Sequence, residues 1–475
     1  MNVSYPRLAV AALRGGGGKT TISMGLLAAW RSKGRRLVPF KKGPDYIDAG
    51  WLARAAQFPC FNLDAYLMTA EKVMQSFTGR VGRDLDGALI EGNRGLYDGT
   101  DEAGTNSTAA LAKLLGAPVV LVVDCTKATR TLAAVVLGCL HFDPAVHIGG
   151  VILNQVATSR QEALVRSTIE AETGLSILGA VPRARDQFLP ERHLGLIPPQ
   201  EHPAGGVVIK TLADLAQKHL DLERLWELAL SAPDLDYSPG LWPGPAPEPR
   251  GQVKIGVIRD SAFQFYYPEN LELLERLGAQ LVTFSALSMA VMPEVDALYL
   301  GGGFPETHAE ILAGNEGLRR ELYRAAAAGL PIYAECGGLM YLGREMVVKE
   351  KTYPMAGVFP VTFGLESRPQ GHGYTILKAV KSNPFYAAGH ELVGHEFHYS
   401  RPLKYEPSEV NLVFEVRRGY GFDRGLDGLA VNNVLGTYTH LHALGTTRWA
   451  EALIDLAFKH KEAVSRPQRK AAHEP

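Results

Sequence analysis

One stretch of this chain cannot be regular structure, and it decides how the rest can fold. Residues 231–251 read SAPDLDYSPGLWPGPAPEPRG and contain six prolines. Proline has a fixed φ and no backbone N–H, so such a run forms neither a helix nor a central strand and reads as a semi-rigid linker. Directly after it, KIGVIRD (Lys254 to Asp260) starts afresh as a buried strand. The expected organisation is a domain over 1–230, a linker over 231–250, a second domain over 251–460 and a polar tail over 461–475. The length of 475 residues agrees, because single cores stop growing near about 250–300 residues.

Both halves alternate short apolar runs with helical stretches. Strand candidates in the first half are RLAVAAL, RLVPFK, GALIEG, PVVLVVD and IGGVILNQV. Those in the second are VKIGVIRD, QLVTFS, ALYLGGG and LPIYAEC. Continuous apolar strands separated by helices indicate parallel sheets covered on both faces. The fold class is therefore α/β, as two tandem α/β domains.

Composition excludes several functions. Lys+Arg is 49 and Asp+Glu is 50, a net charge of -1, so no global basic field draws the chain to nucleic acid. No apolar run approaches the ~20 residues of a membrane helix, and the apolar start reads as a buried strand rather than a signal peptide. Four cysteines without a CxxC pair suggest neither a disulfide framework nor zinc, and fit a reducing cytoplasm.

RLAVAALRGGGGKTT sets Gly15, Gly16, Gly17 and Gly18, then Lys19, Thr20 and Thr21, between a strand and a helix. Glycines let backbone N–H groups wrap a polyphosphate, and the helix aims its positive end at the same anion. Lys19 can reach the β/γ-phosphates of ATP and Thr20 can ligate Mg²⁺. The full GxxxxGK[ST] pattern fails at its first position, which is Leu13. Acidic groups follow at strand ends, where an open parallel sheet presents its ligand crevice. They are Asp45 and Asp48 in KKGPDYID, Glu91 in LIEG and Asp98 in GLYDG. Thr20, Asp45 and Glu91 are the candidate metal ligands. Asp124, ending VVLVVD, is equally a helix cap. Asn154 sits where a purine edge could be read or a helix capped.

In the second half, LPIYAECGGLMYLG carries Cys336 between a strand and a helix. Small neighbours suit a nucleophile elbow, and a helix N-terminus is expected to lower the thiol pKa. Gly301, Gly302 and Gly303 in ALYLGGGFPE are candidates for an oxyanion hole. GTYTHLHAL offers His440 as the general base and His442 as the group that orients it. The carboxylate of the usual H-x-E arrangement is absent at that spacing.

These segments, in this order with EGNRGLYDG and GHEFHYS, resemble the cobyrinic acid a,c-diamide synthases of cobalamin synthesis. The resemblance covers nearly all of residues 7–460. It implies an N-terminal P-loop ATPase-like domain similar to dethiobiotin synthetase and a C-terminal class I glutamine amidotransferase-like domain. It implies ATP, Mg²⁺, glutamine and a tetrapyrrole polycarboxylate as cofactor and substrates, with no nucleic acid and no membrane, in the cytoplasm. A homodimer is carried as one option. It further implies that glutamine yields ammonia at Cys336, with His440 as base, and that ATP activates the a and c acetates as acyl phosphates. Arg94 departs from the small or apolar residue usual there; it could read a substrate carboxylate or sit at the solvent rim. Sister cobyric acid synthases carry FK-x-QNMS where this chain has FKKGPDYID. Dethiobiotin synthetase and MinD-type ATPases would leave residues 251–460 unexplained. The same diamidation on sirohaem or another sirohydrochlorin-derived macrocycle is the alternative.

Overall fold

The computed structural model describes residues 2–3, 5–81, 84–183, 191–192, 195–236 and 252–471. The chain forms two compact units, Met1–Trp242 and Pro243–Pro475. Most of the proline-rich stretch, 237–251, lies outside the described residues. Just before it, Leu235–Asp236 pairs antiparallel with Asn2–Val3.

The first unit is built on a seven-stranded sheet. Its strands are β1 (Arg7–Ala12), β2 (Leu37–Lys42), β3 (Phe61–Leu63), β4 (Gly87–Glu91), β5 (Val119–Asp124), β6 (Ile148–Val156) and β7 (Ile177–Pro182). They lie in the order β3-β2-β4-β1-β5-β6-β7, and every pairing is parallel. All six residues of β1 are buried, which is why it reads as one unbroken apolar run. The chain order reverses around β1, between β4 and β5, so the crevice at their C-terminal ends is where such a sheet binds its ligand. Five strands match sequence candidates; β3 and β7 do not. β3 has only three residues, and β7 (ILGAVP) is interrupted by glycine and ends in proline.

The second unit has a nine-stranded sheet. Its strands are β8 (Val253–Ile258), β9 (Ala279–Phe284), β10 (Ala297–Leu300), β11 (Ile332–Glu335), β12 (Gly371–Ala379), β13 (Glu391–His398), β14 (Leu412–Arg418), β15 (Leu426–Val431) and β16 (Val434–Thr437). The order is β9-β8-β10-β11-β16-β15-β14-β12-β13. The first five are parallel and the remaining pairings antiparallel. The expectation of a parallel sheet is corrected here: this sheet is mixed. The antiparallel strands show exposed positions among buried ones, as in β12 and β13, so they lack the continuous apolar signature. A separate four-stranded sheet joins Lys351–Pro354, Gly343–Val348, Phe359–Leu365 and Ser400–Lys404. The final helix, Arg448–Ala471, runs through most of the polar segment expected as a tail. No helix among the described residues is long and apolar enough to cross a membrane.

Candidate active sites

In the first unit the helix Lys19–Ser32 starts directly after the glycine loop, with Gly18 as its N-cap at φ 95°. Gly16 also has positive φ, 69°, a conformation glycine adopts without strain. A Cβ added at Gly15 or Gly16 would meet nothing within 4 Å, whereas at Gly17 it would stand 3.0 Å from the Ala12 Cβ. Open space over Gly15 and Gly16 is what a backbone cradle for an anion needs. Lys19 Nζ donates to the carbonyls of Arg14 (3.2 Å) and Arg94 (2.7 Å), which arches its stem across the loop. Thr21 is partly buried in the first turn of the helix.

Strand register explains the acidic centre. Glu91 lies opposite Val10 of β1 and Lys41 of β2. Its Oε1 accepts from Thr20 Oγ1 at 2.8 Å and from Lys41 Nζ at 2.6 Å. Lys41 also contacts Asp48 Oδ2 at 2.7 Å. Burial works against charge on Lys41, yet Asp48 and Glu91 hold its ammonium protonated, well above the usual lysine range. Burial likewise raises Asp48, but Lys41 outweighs it and holds that carboxyl below its ordinary value. Asp45 accepts the Asp48 N–H at 2.8 Å. Burial first, then the charge of Asp48, push it up to about 7. Lys19 is shifted down by burial and by Lys41.

These residues fit Mg²⁺ in one respect. Glu91 is fully buried and its Oε2 has no hydrogen-bond partner, an acceptor left open beside Thr20. Among the described residues no three His, Cys, Asp or Glu side chains are grouped to hold a metal alone. The donor set is therefore one that phosphate oxygens complete. Asp45 reaches this centre by accepting the Asp48 N–H, and the charges of Lys41 and Glu91 also act on it.

Other candidates fall elsewhere. Asn154 Nδ2 donates to the Gly17 carbonyl at 3.1 Å, and the side chain lies against Gly18. It braces the glycine loop. Asp124 pairs with Arg14 at 2.8 Å and accepts the Thr126 N–H. A cavity of about 220 Å³ lies there, lined by Leu13, Arg14, Gly17, Val122, Asp124 and Thr126. Asp98 is exposed and accepts the Gly95 N–H at 2.8 Å, closing the turn after β4. Arg94 is exposed with φ 52°.

In the second unit Cys336 follows β11 and caps the helix Gly337–Leu342, at φ 47° and ψ −100°. That strained turn is the elbow expected for a nucleophile. Two glycines permit it. A Cβ on Gly337 would stand 3.0 Å from the Gly303 nitrogen, and one on Gly338 2.6 Å from the Leu300 carbonyl oxygen. The expected lowering of the thiol pKa is overturned. Burial, then the charge of Glu306, push the Cys336 thiol up, with Glu335 and Glu396 adding to them. A helix of six residues offers little dipole against such desolvation. Thiolate formation thus depends on a base.

That base candidate is His440, almost fully buried. β11 and β16 run parallel with Glu335 opposite Thr437, so the chain beyond β16 returns past the elbow. His440 Nδ1 lies 3.3 Å from Glu335 Oε2. A Cβ built on Gly302 would come nearest the ring's Cε1, the carbon between its two nitrogens, with Nε2 at 3.2 Å and Nδ1 at 3.5 Å. His440 also exchanges backbone hydrogen bonds with His395, and the two rings stack with centroids 5.0 Å apart. The group that faces His440 Nδ1 is thus the Glu335 carboxylate. His442 instead accepts the Leu444 N–H on Nδ1 and sets Nε2 3.6 Å from the buried Glu269. Glu335 was missed because the expected spacing directs attention downstream of the histidine, whereas this carboxylate adjoins the cysteine.

Among the oxyanion candidates the three glycines differ. The Gly301 N–H donates to Tyr266 Oη at 2.8 Å and is committed within the fold. Gly302–Gly303 pairs with Phe263–Phe265 in a short ladder, with Gly303 at φ 156°.

Comparison with known proteins follows the same division. Residues 8–197 match the family described as CobQ/CobB/MinD/ParA nucleotide binding domain. Residues 254–447 match the CobB/CobQ-like glutamine amidotransferase domain. Fold and sites thus define a glutamine-dependent amide-forming ligase with a nucleotide-binding unit. The chain is 43% identical over 457 residues to a cobyrinate a,c-diamide synthase of Magnetococcus marinus, covering 95% of this chain and 97% of that one. It is 40% identical over 460 residues to the enzyme so named from Archaeoglobus fulgidus, covering 97% and 99%. The chain belongs to the cobyrinate a,c-diamide synthase family.

Proposed function

We propose that this chain converts the a and c acetate carboxylates of cobyrinate to amides, using ATP and glutamine. The observation that carries this reading is the pair of equipped sites in one chain, an ATP-type loop with its Lys19–Thr20–Glu91 centre and a cysteine elbow with its histidine. Similarity to named cobyrinate a,c-diamide synthases along 95% of the chain supports the substrate.

The chemistry requires both sites. A carboxylate is a poor electrophile. Transfer of the γ-phosphoryl to a carboxylate oxygen makes an acyl phosphate and ADP. Ammonia then attacks the acyl carbon, and phosphate leaves. Lys19 neutralises charge on the transferring phosphoryl. Gly15 to Gly18 cradle the phosphates through N–H groups, and the helix beginning at Lys19 adds its positive end. Thr20 and Glu91 would hold Mg²⁺, which supplies further charge neutralisation on the phosphates. Lys41 keeps Asp48 and Glu91 from repelling each other when anionic substrates enter. Arg94, whose carbonyl accepts from Lys19, would read a substrate carboxylate.

In the other site Cys336 attacks the carboxamide carbon of glutamine as His440 takes the thiol proton. The imidazolium returns that proton to the leaving nitrogen, releasing ammonia and a thioester. Water hydrolyses the thioester to glutamate and restores Cys336. Ammonium is not nucleophilic, so ammonia has to be used before it is protonated by bulk water.

The test offers cobyrinate and sirohaem together, with ATP and glutamine, and reads both products by mass spectrometry. The reading expects cobyrinate to lose mass twice, each step replacing OH by NH₂, with sirohaem unchanged. Diamidation of sirohaem alone would move the substrate to the alternative macrocycle.

A further inference from the structure

We infer that Glu335, the residue immediately before the nucleophile, is the carboxylate that positions His440 for glutamine hydrolysis. The inference rests on the reading above that Cys336 and His440 form the glutaminase pair. It supplies the element that the H-x-E spacing lacks.

Glu335 is fully buried at the C-terminal end of β11. Oε2 faces His440 Nδ1 at 3.3 Å, and Oε1 accepts the Leu441 N–H at 3.2 Å. A carboxylate accepts only, so this contact places the ring proton on Nδ1 and leaves Nε2 as the acceptor. Gly302 packs against the ring at Cε1, between the two nitrogens, and the adjoining Gly303 lies against the elbow at Gly337. The carboxylate thus stands at Nδ1 and leaves Nε2 for the thiol proton, the arrangement in which a carboxylate fixes the tautomer and stabilises the imidazolium.

Further contacts hold Glu335 in that place. Tyr299 Oη donates to Oε2 at 3.3 Å, and Asn270 Nδ2 donates to Tyr299 Oη at 3.1 Å. The same Asn270 ties down the histidine segment, donating to the Leu441 carbonyl at 2.8 Å and accepting the Ala443 N–H at 2.8 Å. Asn270 and Tyr299 therefore fix carboxylate and histidine in one frame. Consecutive side chains on a strand point to opposite faces, but the turn at Cys336, φ 47°, ends that alternation. Nucleophile and orienting group can then serve one imidazole although adjacent in sequence. Two other buried carboxylates face histidines here, Glu269 at His442 and Glu396 at His398.

The experiment compares full-length wild type with Glu335→Gln and Glu335→Asp. Steady-state glutaminase kinetics are read for kcat and KM, with ammonia-driven amide synthesis reporting an intact fold. Glu335→Gln is isosteric and can still accept the Leu441 N–H, so a merely structural role predicts near wild-type turnover. A positioning role predicts a fall in kcat of about 10²–10⁴-fold with KM for glutamine changed less than about threefold. Glu335→Asp keeps the charge but withdraws it, and should lie between the two. Should the Gln variant not fold, the Asp variant decides alone: a loss of about tenfold or more in kcat supports the assignment, and wild-type kcat overturns it. Cys336→Ala and His440→Ala are assayed alongside. If they abolish glutaminase turnover and Glu335→Gln does not, only the positioning role fails. If they too retain turnover, the glutaminase reading itself fails.

Discussion

On the proposed function Cys336 and Lys19 divide the chemistry between them, so each should be removable without touching the other. Cys336→Ser should lower glutamine-driven synthesis by about 10³-fold or more. It should leave ammonia-driven synthesis at raised pH within about twofold of wild type, since the thiol serves only to release ammonia. Initial rates with the two nitrogen sources check this, and loss of both in a folded protein would refute the division. Lys19→Ala should cost about 10²–10³-fold with either source, because the lost charge acts on the phosphoryl group. Near-normal rates would mean that the loop is structural. At this scale the cysteine, the glycine loop and the lysine were legible because each chemistry demands its residue type between a strand and a helix. Glu335 was not, since its role depends on which strand lies beside β11. Asn154 could be singled out at its strand end, but not its contact with Gly17, which spans 137 residues.

Strands and helices carry their own tests. Asp427, in β15, is fully buried and accepts from Thr437 Oγ1, the Gly428 N–H and the Tyr438 N–H. Burial nevertheless raises its pKa from 3.8 to about 6, the hydrogen bonds opposing it and Glu396 adding to it. The folded state therefore holds a proton that the unfolded chain releases near pH 3.8. Stability from this group is present in full below that pH and is lost as pH rises to about 6. The window is worth roughly 3 kcal/mol in order of magnitude. Asp427→Asn should flatten that part of the stability curve, measured by urea unfolding at pH 4, 5, 6 and 7; an unchanged slope would contradict the assignment. In the first unit, a Cβ on Gly25 would come within 2.9 Å of the Leu212 carbonyl oxygen and 3.2 Å of the Ala216 Cβ. The helices Lys19–Ser32 and Gly205–His219 pack backbone to backbone there. Gly25→Val should destabilise by about 1–3 kcal/mol through overpacking, seen in the same unfolding assay. A stability equal to wild type would show that the helices separate without cost. The parallel strands were legible because both faces are covered. The antiparallel part of the second sheet was not, because half-exposed strands mix polar with apolar residues, and some are broken by glycine, as β12 is at Gly371 and Gly373.

For the whole molecule, two α/β units were legible from one run of prolines and two sets of apolar strands. Which strands neighbour each other was not, because order in a sheet is set by packing of distant segments rather than by local pattern. The proposed function requires that nitrogen freed from glutamine at Cys336 becomes amide on an ATP-activated carboxylate of the macrocycle. Isotope tracing tests it most directly. Purified chain is given cobyrinate, ATP and glutamine labelled with ¹⁵N in its side-chain amide, in the presence of unlabelled ammonium, and the product is read by mass spectrometry. Wild type is predicted to place ¹⁵N in both new amides, with one ADP formed per amide, while Cys336→Ser incorporates only unlabelled nitrogen. Label appearing in the product of the Cys336→Ser protein, or two amides formed without ATP cleavage, would contradict the account.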